Sequence, residues 1–157
     1  MTIAALNGLK VMACDIQNAY LTADCREKIW TIAGPEFGSK AGTIFIVNKA
    51  LYWLKSAGAA FRSLLADILL DMGYQPTRAD PDVWLRPAVK PAVRPDGFEI
   101  YEMVLCYADD ILSISHDPEA TLRSLTGVFK LKDDKVKEPN MYLGAQLGKM
   151  NIDGLEC

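Results

Sequence analysis

Residues 103–115 read MVLCYADDILSIS, with two adjacent carboxylates, Asp109 and Asp110, set between runs that otherwise have the composition of buried β-strand. An ionised carboxylate held away from water is costly unless something pairs with it. The chain must therefore turn at the acids, bind a cation there, or both. Asp is common in turns because its side chain bonds nearby backbone and tolerates unusual φ/ψ. Either way the stretch predicts a β-hairpin, FEIYEMVLC against ILSIS, around which the rest of the fold must be arranged.

The flanking sequence supplies partners for that hairpin. TIAALNGL reads as the last turns of a helix ended by Gly8, and LKVMACDI as a buried strand. KIWTIA and TIFIVNK are strand-like on either side of the loop GPEFGSKAG. The clearest helix is SAGAAFRSLLADILLDMG, in which Phe61, Leu64, Leu65, Ile68, Leu69 and Met72 recur on one face and Gly73 closes the end. YQPTRADPDVWLRP gives short extended pieces around a turn, and AVKPAVRPDG a Pro-punctuated connection. A second helix is predicted in HDPEATLRSLTGVF, with Asp117 as N-cap, Pro118 in the first turn, and Leu122, Leu125 and Phe129 inward. The charged run KLKDDKVKEPN reads as a solvated edge, and MYLGAQLGKM as a final strand leading to the turn signal NIDG. This order of elements fits an α+β fold, an antiparallel sheet covered on one face by two helices. A helix entering at residue 1 and an end just after a turn signal suggest a piece of a longer chain.

With 157 residues, half of them hydrophobic, one domain with its own core is the default. Net charge is −3, from 17 basic and 20 acidic residues, which is by itself a poor match to a polyanion. The four cysteines form no CxxC pair and His116 is the only histidine, so neither a zinc site nor a disulfide framework is indicated. With no signal-peptide pattern and no apolar run near the ~20 residues of a membrane helix, a soluble product of a reducing, intracellular compartment is expected.

A third acid bears on the first two. Asp15 ends the apolar run LKVMAC, where it could equally be the N-cap of IQNAYL. If that strand and the hairpin are neighbours, three carboxylates fall at one end of the sheet. They would raise each other's pKa unless divalent cations neutralised them. Such a cluster suits Mg²⁺, and two ions ~3.5 to 4 Å apart would serve in-line phosphoryl displacement. The sequence has no GxxxxGK[ST] loop, which excludes a P-loop nucleotide hydrolase. The chemistry indicated is phosphoryl or nucleotidyl transfer.

The chain resembles the reverse transcriptase of copia-type LTR retrotransposons. CDIQNAYL is similar to that family's Asp-x-x-x-Ala-[Phe/Tyr]-Leu block, KALYWLKSAGAAF to its Leu-Tyr-Gly-Leu-Lys block, GYQPTRADPDVW to its Gly-[Phe/Tyr] and Asp-containing block, YADD to its Tyr-x-Asp-Asp box, and MYLGAQLG to its Leu-Gly block. The five occur in the family's order. The resemblance implies an α+β fold of a specific kind, a polymerase palm-like antiparallel sheet with two helices packed on one face, plus partial fingers. It makes residues 1–157 a single partial reverse transcriptase domain, with upstream fingers, thumb and RNase H outside it.

The resemblance also implies roles. Asp15, Asp109 and Asp110 would be catalytic and hold two Mg²⁺ ions, with Mn²⁺ as an alternative. Tyr20 would be the steric gate against a 2′-hydroxyl, though the residues alone also allow a core aromatic. Backbone around Asn18 and Ala19 would face the triphosphate. Lys55 would lie near template or nucleotide, or stand exposed at a helix start. Tyr107 would pack beneath the primer end, and Leu143 and Gly144 would belong to the primer-grip hairpin. Implied partners are an RNA or DNA template with its primer, dNTP, and the rest of a polyprotein with integrase and RNase H, and no membrane. The implied location is a cytoplasmic particle, or the nucleus. One departure stands out: Trp53 occupies the block's usual Gly, where an indole either obstructs a pocket or fills a gap. Two alternatives accompany this reading. One is a catalytically inactive folded remnant with an inherited metal site and weak nucleic-acid binding; the other is a different palm-type two-metal enzyme such as a nucleotide cyclase.

Overall fold

The computed structural model describes residues 2–88 and 97–148, together with the backbone of residues 151–152 and 155–156. The Pro-punctuated connection expected at 88–97 falls, except at its ends, outside the described residues, as do positions 153–154 of the NIDG signal. In chain order the elements are α1 (Thr2–Leu6), β1 (Lys10–Asp15), α2 (Ala19–Thr22), β2 (Trp30–Ile32), β3 (Ile44–Ile46), α3 (Ala57–Asp71), β4 (Gln75–Pro76), β5 (Val83–Pro87), β6 (Tyr101–Tyr107), β7 (Asp110–Ser115), α4 (Pro118–Ser124), β8 (Met141–Tyr142), β9 (Ala145–Gln146), β10 (Asn151–Ile152) and β11 (Leu155–Glu156). They fall into two compact units, Met1–Gln17 with Ile68–Cys157, and Asn18–Asp67.

The first unit is built on a five-stranded sheet in the order β1-β7-β6-β5-β4, antiparallel at every step. The antiparallel α+β class is the expected one. Its centre is β7, whose residues Ile111 to Ser115 are all buried. Strand side chains alternate between faces, so Leu112 and Ile114 point to one side, where they cluster with Ala4 of α1, Leu9 and Ile100. The opposite side receives α4, which packs on β1 and β7. That helix starts where its sequence dictates: Asp117 Oδ1 accepts the Ala120 N–H at 3.1 Å and Pro118 opens the first turn. Leu122, Leu125 and Phe129 are each at most 1% exposed, and burial of this kind contributes roughly 1.5–3 kcal/mol per side chain.

Two readings of the sequence change. The stretch 141–146 is a tight hairpin, β8 against β9, rather than one strand. Leu143 (φ 49) and Gly144 (φ 78) both take the left-handed conformation that a two-residue hairpin loop demands, and Gly144 supplies it without strain. The charged run after Phe129 is more than a solvated edge. It pairs with the outer edge of β1 through Ile16↔Leu131 and Ala13↔Lys137 bridges, and Leu131 is 1% exposed.

In the second unit β2 and β3 form the predicted hairpin, Trp30 opposite Ile46 and Ile32 opposite Ile44. Within α3, Ala57, Ala60, Phe61 and Leu65 are buried at helical spacing. The Ser56 N–H and hydroxyl both donate to Glu27 Oε1 just before this helix begins, a carboxylate placed at the positive end of its dipole. No described helix is long and apolar enough to cross a membrane.

Trp53 is 99% exposed, so it fills no gap. It is the third residue of a turn closed by the Leu54 N–H donating to the Leu51 carbonyl at 3.3 Å, with φ 75. A type II turn asks for a left-handed residue at that position, and glycine is the one that meets it freely. The block's usual Gly thus has a backbone reason. Since left-handed φ costs an L-residue roughly 1–2 kcal/mol and glycine's extra unfolded-state entropy returns about half of that, Trp53→Gly is expected to raise stability by about 0.5–1 kcal/mol. Chemical denaturation checks this, and a destabilised variant would mean that the indole makes a contact worth more than the strain.

Candidate functional site

Register across the sheet assembles the site. Asp15, the last residue of β1, lies directly opposite Asp110, the first of β7, and Asp110 lies directly opposite Tyr107, the last of β6. Directly opposed residues share a face, so Asp15, Asp110 and Tyr107 form one row across three strands. Asp109 occupies the turn between β6 and β7, next to Ala108, whose φ is 49, and its carbonyl accepts the Ile16 N–H at 2.9 Å. That bond ties the acidic turn to the end of β1. Asp15 is therefore a strand-end residue; the cap of the short helix α2 is Asn18, at φ 54 and without a side-chain cap bond.

Like charges directly opposed in a sheet repel, and the electrostatics register it. The Asp110 carboxyl is pushed above the usual range, by desolvation first and then by Asp109 and Asp15. The neighbouring Cys14 thiol is pushed up to about 12, by burial and then by Asp15 and Asp110. Tyr142 is likewise raised to about 12, by burial, then Cys106 and Asp110. Lysines offset this field: Lys132 and Lys137 both act against the rise at Asp110, and Lys132 Nζ lies 3.2 Å from Asp15 Oδ2, where Asp15 raises the lysine's own pKa.

Beside the row opens a cavity of about 370 Å³, lined among others by Asp15, Asp110, Lys132, Lys135, Lys137, Tyr142, Leu143 and Gly144. Its volume is in the range of small-molecule sites, and its walls carry both signs of charge. Among the described residues no group of three His, Cys, Asp or Glu side chains stands ready to hold a metal ion. The donor chemistry nonetheless fits a hard divalent cation, since the carboxylates offer oxygen alone, repel one another, and have already drawn a cation to Asp15.

Of the residues singled out in the sequence, the first unit gathers Asp15, Asp109, Asp110 and Tyr107 at one sheet end, with Leu143 and Gly144 at the tip of the hairpin lining the cavity. Asn18, Ala19, Tyr20 and Lys55 belong to the second unit. There Ala19 is buried, Asn18 and Lys55 are exposed, and the Tyr20 ring packs on Tyr52 at 4.9 Å and edge-on to Phe61 at 6.0 Å. Lys132 and its neighbours Lys135 and Lys137 were missed by the reading of 130–140 as a solvated edge. The available signal was Leu131, an apolar residue between two lysines, which marks an extended segment with one side buried.

The family described as reverse transcriptase (RNA-dependent DNA polymerase) matches residues 1–151. The Retrovirus-related Pol polyprotein from transposon RE1 of Arabidopsis thaliana is 28% identical over 137 residues, 84% of this chain and 9% of that protein. The Transposon Ty1-DR1 Gag-Pol polyprotein of Saccharomyces cerevisiae is 26% identical over 158 residues, 99% of this chain and 8% of that protein. The chain thus spans less than a tenth of the length of these curated relatives.

Proposed function

Because the chain belongs to the reverse transcriptase (RNA-dependent DNA polymerase) family, we propose that it is the palm, with part of the fingers, of an RNA-directed DNA polymerase in a copia-type retrotransposon polyprotein, transferring nucleotides from dNTP to a primer 3′-hydroxyl. The observation that carries this reading is the cross-strand row Asp15, Asp110, Tyr107 with Asp109 beside it. The sheet of the first unit, with α4 packed on it, is the palm; the second unit, which holds most of α3, contributes to the fingers. Asp15, Asp109 and Asp110 would hold two Mg²⁺ ions, or Mn²⁺, and such ions would supply activation of an attacking oxygen and stabilisation of a leaving one. Tyr107 supports the primer end, Leu143 and Gly144 form the tip of the primer-grip hairpin, and Lys132, Lys135 and Lys137 supply positive potential where phosphates would pass. Tyr20 is the sugar gate, held by Tyr52 and Phe61, with Asn18, Ala19 and Lys55 on the nucleotide side. Template, primer, dNTP and the remaining polyprotein segments, integrase and RNase H among them, are the partners.

A second reading, a folded remnant without catalysis, draws on the strained and fully exposed Trp53. Primer extension on an RNA template by this chain joined to the remainder of its polyprotein separates the two. Incorporation of deoxynucleotides is expected, and Tyr20→Ala is expected to admit ribonucleotides as well. A joined enzyme that extends no primer sinks the first reading and leaves the second.

A further inference from the structure

Lys132 has a fixed root and a free head. Its backbone is stitched to the edge of β1 on both sides: the Gln17 N–H donates to the Lys130 carbonyl at 2.8 Å, and Ala13 and Lys137 exchange both of their backbone bonds at 2.8 and 3.0 Å. Between those anchors Leu131 is buried, and the chain turns through Asp133 (φ 55) and Asp134 (φ 53), closed by the Asp134 N–H on the Leu131 carbonyl at 3.1 Å. Asp tolerates the left-handed region better than most residues. Both turn acids have partners of their own, Lys135 at 3.8 Å from Asp133 and Arg123 at 3.9 Å from Asp134. Lys132 is thereby left to Asp15. The lysine side chain is 62% exposed and the aspartate's 33%, so nothing locks the ammonium in place.

We propose that Lys132 is an internal counter-cation of the acidic row, seated on Asp15 when no metal is present and displaced from it when a divalent ion enters, so that lysine and metal compete for one carboxylate. The inference rests on the reading of Asp15, Asp109 and Asp110 as a divalent-cation site. It accounts for the directly opposed carboxylates at one sheet end, because a monovalent charge beside them partly offsets their repulsion. A tethered ammonium carries one charge against the ion's two and accepts no lone pair, so the metal displaces it, at a cost in affinity set by the lost ion pair and by repulsion from the nearby ammonium.

The test is Mn²⁺ binding to the full chain, followed by titration calorimetry and by loss of the free-ion resonance, with no catalytic readout. Lys132→Gln is expected to tighten Mn²⁺ binding by roughly fivefold or more and to lower the melting temperature of the metal-free chain. Lys132→Arg is expected to keep both at the wild-type level, because a guanidinium can occupy the same carboxylate. Weaker or unchanged Mn²⁺ binding in Lys132→Gln overturns the inference, since a lysine that assists or ignores the metal cannot be its competitor. Asp15→Asn serves as the separate control. If it leaves Mn²⁺ affinity untouched, the cation-site reading itself has failed; if it weakens binding while Lys132→Gln does not tighten it, only the role of the lysine has.

Discussion

Asp110→Asn is expected to stabilise the metal-free chain and, on the proposed function, to remove primer extension by the joined enzyme, opposite consequences of a single lost charge. Asp110 stands directly opposite Asp15 with Asp109 adjoining it, and relieving such a like-charge pair is worth roughly 0.2–1 kcal/mol. On the proposed function Asp110 would act by holding the metal ions that stabilise the transition-state charge, and a loss of about 10²- to 10³-fold or more, the scale for removing one such stabilising contact, is expected in primer extension. The pH dependence carries the same signature. Because the folded-state pKa of Asp110 is raised above its ordinary 3.8, the fold retains a proton that the unfolded chain has released. Stability contributed by this group is present in acid and lost as pH rises from the ordinary carboxylate range through the raised value. Asp24, lowered by its hydrogen bond to Lys49, works the other way, its stabilisation being lost as pH falls below the ordinary value. Thermal melts of wild type and Asp110→Asn without metal should therefore separate as pH climbs from about 4 toward neutrality, the variant being the more stable. Curves that coincide across that range would mean that the acids do not feel one another, and the site would lose its electrostatic basis.

The parts of this molecule that local chemistry determines were readable in the sequence. Asp117 and Pro118 announce α4, the spacing of Phe61, Leu65 and Leu69 announces α3, and the two apolar runs around Asp109 and Asp110 announce their hairpin, because caps, helical periodicity and turns are set by neighbours in the chain. The encounter of Asp15 with Asp110 is another matter. It depends on β1 pairing with a strand nearly a hundred residues away, and no local energy selects that register. The family resemblance supplied what spacing could not. The resemblance implied a hairpin at Leu143 and Gly144, but the residues alone read as one strand, because Leu143 takes a left-handed conformation that only its glycine neighbour hinted at. Lys132 was hidden because a run rich in charge is ordinarily solvated, and it took the burial of Leu131 to bring the run against β1.

Glu102→Ala is expected to be strongly destabilising, at about 3 kcal/mol, because it strands a largely buried guanidinium. Arg86 and Glu102 are directly opposed on β5 and β6. Nε and Nη2 of Arg86 both reach Glu102 Oε2, at 2.9 and 2.8 Å, with the side chains 19% and 5% exposed. The third arm, Nη1, donates to the Met72 carbonyl at 2.9 Å just beyond α3, and the guanidinium lies 4.4 Å over the Tyr74 ring. Both ends of the guanidinium are thus engaged, and removing its carboxylate leaves a largely buried charge without its counter-ion. An exposed pair such as Lys49 with Asp24 has water as a substitute and should lose far less when cut. If desolvation is the cause, taking both charges away should hurt far less than taking one: Arg86→Met combined with Glu102→Leu is expected to recover most of the loss in urea denaturation. The consequence reaches the acidic row, because the same β6 that holds Glu102 carries Tyr107 to its place opposite Asp110, and Glu102→Ala should therefore weaken Mn²⁺ binding although it touches no acid of the site. A double variant no more stable than Glu102→Ala alone would show that the pair acts through specific bonds that apolar packing cannot replace.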